Sequence, residues 1–178
     1  MFDRLITKVP MYDPVAVQPM RDELTWVGFE ETRTEAEVER FMRQETGTSF
    51  VFINSICGCA AGSARPAAAQ ALQHTVIPDR LATVFAGMDR DAVDYFRSKY
   101  LPEFPPSSPA MFLFKDGNVV LALHRHDIED RTPEDIASEL IEAFDRHCDR
   151  TGPSIPPERY EKLVHAKTCG SSIPRYEK

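Results

Sequence analysis

The sequence predicts an α/β fold: a mixed central sheet flanked by helices, ending in an antiparallel hairpin and a closing helix. Three observations predict it. Two continuous apolar runs, TSFVFIN and LATVFAG, are each followed by a helix-forming stretch; Asp116-Gly117 separates two strand-like runs; and an amphipathic segment follows Thr132. Strands joined by helices run parallel and bury both faces, whereas a hairpin adds antiparallel pairing, so together they give a mixed sheet.

In the segment MYDPVAVQPMRDELTWVGFEE, Val17, Met20, Leu24 and Val27 stand three and four residues apart, the spacing of one helical face. Pro19 is expected to begin or kink that helix. Thr34 with Glu37 has the form of a capping box, Val38, Phe41 and Met42 form an apolar stripe, and Gly47 is a stop, which predicts a helix over about 34–45. Residues 48–54 read as a strand covered on both faces. After the turn that follows, AAGSARPAAAQALQHTV carries strong helix formers, with Pro66 early enough to be tolerated. Residues 81–87 read as a second buried strand. Asp89 is then expected to cap a helix whose Val93, Phe96 and Tyr100 share a side.

The proline-rich LPEFPPSSP is an irregular, stiff loop, and MFLFKDGNVVLAL after it is a hairpin turning at Asp116-Gly117. Thr132-Pro133-Glu134-Asp135 opens the last helix, with Ile136, Leu140, Ile141 and Phe144 on its apolar side. From Thr151 the chain offers prolines, glycines and charges but few large apolar residues. We therefore read one domain over 1–150 and a C-terminal extension over 151–178 that wraps the domain or is partly disordered. At 178 residues the chain can bury one full core but is short for two domains.

Composition narrows the function classes. No stretch reaches the apolar length that crosses a bilayer, and the opening MFDRLITKVPMYDP lacks the apolar core of a secretory signal, so a cytoplasmic location without membrane contact is expected. A net charge of -7 opposes a broad phosphate-binding surface, and no nucleic acid partner is expected. Cys57, Cys59, Cys148 and Cys169 are too unevenly spread for a disulfide scaffold. In a reducing compartment such a close pair as Cys57 and Cys59 is more often catalytic or metal-binding.

The pair sits in NSICGCAAGSARP, where a strand gives way to a helix. Unpaired N–H groups and the helix dipole favour a negative sulfur there, by about 1 kcal/mol at an exposed end, and the thiolate is the reactive form. Cys57, first at the turn, is the candidate nucleophile, and Cys59 is within reach to resolve a mixed disulfide formed on it. Bridging two cysteines across one residue demands unusual backbone angles, which Gly58 can supply, and the strained ring should be readily reduced. Two other readings stay open: half of a zinc site, for which Cys148 and Cys169 provide no matching second pair, and no chemistry at all.

NSICGCAAGSARP, with VFAGMDRDA, PPSSPAMFLFKDG, RHDIE and AFDRHC, resembles the bacilliredoxins, small thioredoxin-like proteins with a CGC motif; the likeness covers roughly Tyr12 to Cys148. The resemblance implies a thioredoxin-like fold, removal of bacillithiol from S-bacillithiolated proteins, and weak disulfide isomerase activity described for some members. It implies that Cys57 takes the bacillithiol moiety and that Cys59 resolves it. It also implies that Pro109 is a cis proline facing the pair and exposing the backbone of Ser108 to an extended substrate.

Gly58, Ser108, Pro109 and Arg65 are thus the candidate substrate-binding residues, Arg65 as a cation that favours the thiolate or meets the carboxylates of bacillithiol. No bound cofactor or metal is expected. Bacillithiol or another low-molecular-weight thiol enters as co-substrate, S-thiolated proteins are the partners, and a small thiol or a reductase restores the dithiol. The competing reading is a metal- or partner-binding module on the same scaffold. Cys148, four residues after Phe144, reads as a buried inert thiol. His124 and His126 flank Arg125 just after the second hairpin strand; at i and i+2 on a strand they could share a face, but without a third ligand nearby they read as surface or packing residues, and Cys169 in the extension as a further thiol of open role.

Overall fold

A computed structural model describes residues 8–168 and 170–177. Its centre is a five-stranded sheet in the order β1-β4-β2-β5-β6, from β1 (Glu30–Glu31), β2 (Thr48–Asn54), β4 (Arg80–Phe85), β5 (Ala110–Lys115) and β6 (Asn118–Leu123). β1 and β2 run parallel to β4, whereas β5 is antiparallel to β2 and to β6. This is the mixed α/β sheet expected, in an architecture consistent with a thioredoxin-like fold.

Every residue of β2 is buried, because the strand is central and covered on both faces. Its alternation sorts the core. Phe50 and Phe52 face one side, with α3 (Arg65–Ala71) and α6 (Pro133–His147). Val51 and Ile53 face the other, with α2 (Glu35–Met42) and α4 (Arg90–Tyr100). The result is three layers, helix, sheet and helix.

Several elements form by the local chemistry expected of them. Thr34 and Glu37 make both bonds of the capping box, and α2 ends at Met42, short of 45. Asp116 and Gly117 both adopt positive φ, the conformation a two-residue hairpin turn requires. Thr132 caps α6, accepting from the N–H of Asp135 at 3.2 Å.

Two expectations need correction. α1 (Pro14–Trp26) starts at Pro14 behind the cap Asp13 and runs through Pro19. The bond Pro19 cannot donate would have gone to the carbonyl of Val15, in the first turn, where Val15 is 81% exposed and solvent can satisfy that carbonyl. Asp89 precedes α4 but does not cap it with its side chain. Its carboxylate instead receives both Nη atoms of Arg21, at 2.7 and 3.0 Å, together with the N–H of Phe85. His124 and His126 follow β6, which ends at Leu123, as expected; they bracket the start of α5 (Arg125–Ile128), rings stacked at 5.6 Å.

The extension is packed. β7 (Arg150–Thr151) pairs with β3 (Val76–Ile77), and α7 (Pro157–Tyr160) lies where Trp26 Nε1 donates to the carbonyl of Arg159 at 2.9 Å. Ala166 and Ile173 then bury against Val17, Met20, Phe85 and Met88. The segment ends beside the start of α1, where Asp13 N–H donates to the carbonyl of Pro174.

Candidate active site

The sheet topology gathers the site at one end. β2 leaves the sheet at Asn54, and the pairing of Ile53 with Ala110 sets Pro109 beside that exit. The pairing of Met111 with Leu123 brings the start of α5 to the same end. The Cys57 turn, the Ser108–Pro109 peptide and Arg125 therefore converge from three parts of the chain, outside the carboxyl ends of parallel strands where α/β sheets form their clefts. The Ser108–Pro109 peptide is cis.

Cys57 stands at the start of a helix whose first full turns, Ala60–Ala64, are π-helical before α3 begins. Its carbonyl accepts from the N–H groups of Ala60 and Ala61 at 3.1 and 3.2 Å, and its own N–H donates to Ser55 Oγ at 3.3 Å. The Cys57 and Cys59 sulfurs approach to 2.7 Å as free thiols, both half-buried. Gly58 does not adopt positive φ, and a Cβ there would meet nothing within 4 Å, so the dithiol form makes no steric demand for glycine at this position.

The two thiols are electrostatically unequal. Burial pushes Cys57 up, but hydrogen bonds from Cys59, the Ser55 hydroxyl and the Ala60 N–H, with the charge of Arg125, outweigh it and bring Cys57 below an ordinary thiol. Cys59 is pushed up to about 12, first by burial and then by its bond to Cys57 and the charge Cys57 carries. The surroundings favour the negative charge on Cys57 and the proton on Cys59.

Arg65 is not part of this surface, which corrects its assignment as a substrate-binding cation. Its side chain is fully buried and its Nε donates to Glu23 Oε2 at 2.8 Å. Nη1 donates to Asn54 Oδ1 and to the carbonyl of Ser55, both at 3.0 Å, and Nη2 to the carbonyl of Ala166 at 3.2 Å. A planar fork with its donors engaged fixes backbone and offers nothing to a ligand. Arg65 clamps the two residues that lead into the cysteine turn.

The cation beside the thiols is Arg125, to which no local signal in the sequence points; only its place in the RHDIE segment of the family resemblance does. Its N–H donates to Ser107 Oγ at 2.8 Å, and its guanidinium pairs with Glu129. Ser55 likewise escapes a reading of motifs, its one local signal being its place two residues before Cys57. Cys148 is buried, and burial pushes its thiol up to about 11, a poor nucleophile. Cys169 lies outside the described residues. Its neighbour Gly170 packs so tightly on the carbonyl of Ile56 that a Cβ would stand 2.8 Å from that oxygen. Among the described residues, no three His, Cys, Asp or Glu side chains gather as metal ligands would, and no helix is long and apolar enough to cross a membrane.

Comparison with known proteins fits this geometry. A family model described as disulphide isomerase matches residues 12–148. The chain is 54% identical over 133 residues to a bacilliredoxin of Geobacillus kaustophilus, covering 74% of this chain and 91% of that protein. It is 51% identical over 133 residues to a bacilliredoxin of Bacillus cereus, covering 74% and 92%. To a bacilliredoxin of Salinibacter ruber it is 47% identical over 150 residues, covering 83% and 87%.

Proposed function

This chain belongs to the bacilliredoxin family, and with it to the thiol–disulfide oxidoreductases in general; from that premise we propose that Cys57 and Cys59 remove bacillithiol, or a similar low-molecular-weight thiol, from mixed disulfides on proteins. The observation that carries the reading is the inequality of two thiols 2.7 Å apart at a helix start, one favoured as thiolate and one kept protonated.

The chemistry follows from it. The Cys57 thiolate attacks the sulfur of the small thiol in the mixed disulfide. That S–S bond breaks, a new one forms on Cys57, and the protein thiolate leaves and takes a proton from solvent. The negative charge on Cys57 is thereby gone, and with it one of the causes that hold Cys59 protonated. Cys59 then loses its proton and attacks Cys57, releasing the small thiol and leaving a Cys57–Cys59 disulfide two electrons more oxidised than the dithiol. An external thiol or dithiol reductant returns the pair to its starting state. The same exchange acting between protein disulfides would give isomerase activity. The small thiol is a co-substrate, no bound cofactor or metal is required, and the balance of the cycle suits a reducing compartment such as the cytoplasm.

Substrate backbone has a place to lie. The Ser108–Pro109 peptide sits at the same end of the sheet as the thiols, and an extended segment can pair with the backbone of Ser108. The test is to incubate the Cys59→Ser protein with a bacillithiolated protein and identify adducts by mass spectrometry. A bacillithiol adduct confined to Cys57 is expected; an adduct on Cys148 or Cys169, or none, overturns the reading.

A further inference from the structure

An open groove of about 450 Å³ lies beside the candidate site, lined by Arg97, Pro106, Ser107, Ser108, Arg125, His126 and Glu129. Its size suits a small organic molecule. Its walls are α4, which contributes Arg97, the proline-rich loop that ends at the cis peptide, and the start of α5, which carries Arg125.

Arg97 is the unexplained group in this wall. It is only partly exposed, and its Nη2 donates to the carbonyl of Ser107 at 2.9 Å. Its Nε is buried and meets no acceptor among the described residues. The carboxylate nearest in sequence, Asp94, is already paired with Lys8. Burial accordingly pulls Arg97 below an ordinary guanidinium, against the opposing charge of Asp94. A partly buried guanidinium with one donor unpaired, lining an open groove, is a place where an anion is favoured. Arg125 adds a second cation, offset by Glu129 on the same wall, so the cationic groups of the groove outnumber its one carboxylate.

We propose that this groove binds a carboxylate of the low-molecular-weight thiol, with Arg97 as its principal partner and the Ser107 and Ser108 hydroxyls beside it. The proposal rests on the exchange reading above and deepens it. A thiol anchored by its carboxylate next to the Cys57 turn presents its own sulfur to Cys57. The small thiol, rather than the protein, then becomes the group taken up. The groove would thus decide which sulfur of the mixed disulfide is attacked, and would separate carboxylate-bearing thiols from neutral ones.

The test uses the Cys59→Ser protein and three peptide disulfides. The first joins a neutral peptide to mercaptosuccinate, the second joins the same peptide to 2-mercaptoethanol, and the third joins an Asp-flanked peptide to 2-mercaptoethanol. Mass spectrometry reads the rate of adduct formation and which half ends on Cys57. Adding Arg97→Gln should lower the ratio of mercaptosuccinate to mercaptoethanol uptake about ten-fold, the usual worth of one charge-assisted hydrogen bond. It should also shift the mercaptosuccinate disulfide toward peptide adducts, and Arg97→Lys should restore part of both. Because the ratio compares two substrates on one protein, loss of folded variant cancels. An unchanged ratio overturns the subsite. A defect confined to the Asp-flanked peptide overturns it too, since the anion would then belong to the protein substrate. No adduct from any disulfide before Arg97 is changed overturns the exchange reading itself.

Discussion

Arg65 and Arg125 divide the two tasks a cation performs near a reactive thiol: one fixes backbone, the other supplies field. Arg65 and Glu23 are both fully buried and bonded to each other. Truncating one partner strands the other charge in the core, so Arg65→Met should destabilise the fold by about 3–5 kcal/mol, read as a lower urea midpoint. A midpoint near that of the unaltered protein would mean the clamp is dispensable. Arg125 is exposed, and it reaches Cys57 only through space. A lowered thiol pKa means thiolate already present at lower pH. Removing the cation with Arg125→Gln should therefore move the pH profile of Cys57 alkylation by iodoacetamide upward and slow the reaction several-fold at neutral pH. Salt screens an exposed charge, so the difference should shrink as ionic strength rises. A profile that does not move at low salt would remove Arg125 from the site's electrostatics. Cys59, held near 12 while Cys57 carries its charge, should be modified only after Cys57.

The elements that can be read from sequence are those whose cause is local. The capping box of Thr34 and Glu37, the positive-φ pair Asp116-Gly117 and the all-buried run of β2 each carry their signal within seven residues. The same holds for the turn that bears the cysteines, which is why the candidate pair is legible in the sequence itself. Asp89 has the composition of a cap, yet its carboxylate answers to Arg21, sixty-eight positions earlier. Arg65 lies about two helical turns past Cys57 and looks like the cation of the pair. It is drawn inward instead by Glu23 on α1 and by the carbonyl of Ala166 in the extension. Arg125 is far from Cys57 in sequence and reaches it only through the strand order β2-β5-β6. Local signals name the candidate nucleophile, and only the sheet says which cation stands beside it.

At the level of the whole chain, the match to the family model ends at residue 148 but the packing does not. The segment beyond it holds both ends of α1, at Trp26 through Arg159 and at Asp13 through Pro174. Between them it reaches the buried ion pair: the N–H of Ala166 donates to Glu23 Oε2 at 3.0 Å, and His165 Nδ1 lies 2.7 Å from Glu23 Oε1. Detaching it would strip those partners from a buried carboxylate and one acceptor from Arg65, leaving unsatisfied groups that cost about 1–3 kcal/mol each. Arg65 in turn holds Asn54 and Ser55, and the Ser55 hydroxyl is the acceptor for the Cys57 N–H. The strap, the ion pair and the reactive turn should therefore open together. In native-state hydrogen exchange the Ala166 amide should be protected to within about 1 kcal/mol of the Phe52 amide in the central strand, with the two converging on the free energy of global unfolding. If Ala166 exchanges through a much cheaper local opening while Phe52 stays protected, the extension is a detachable appendage and the turn is held by the domain alone.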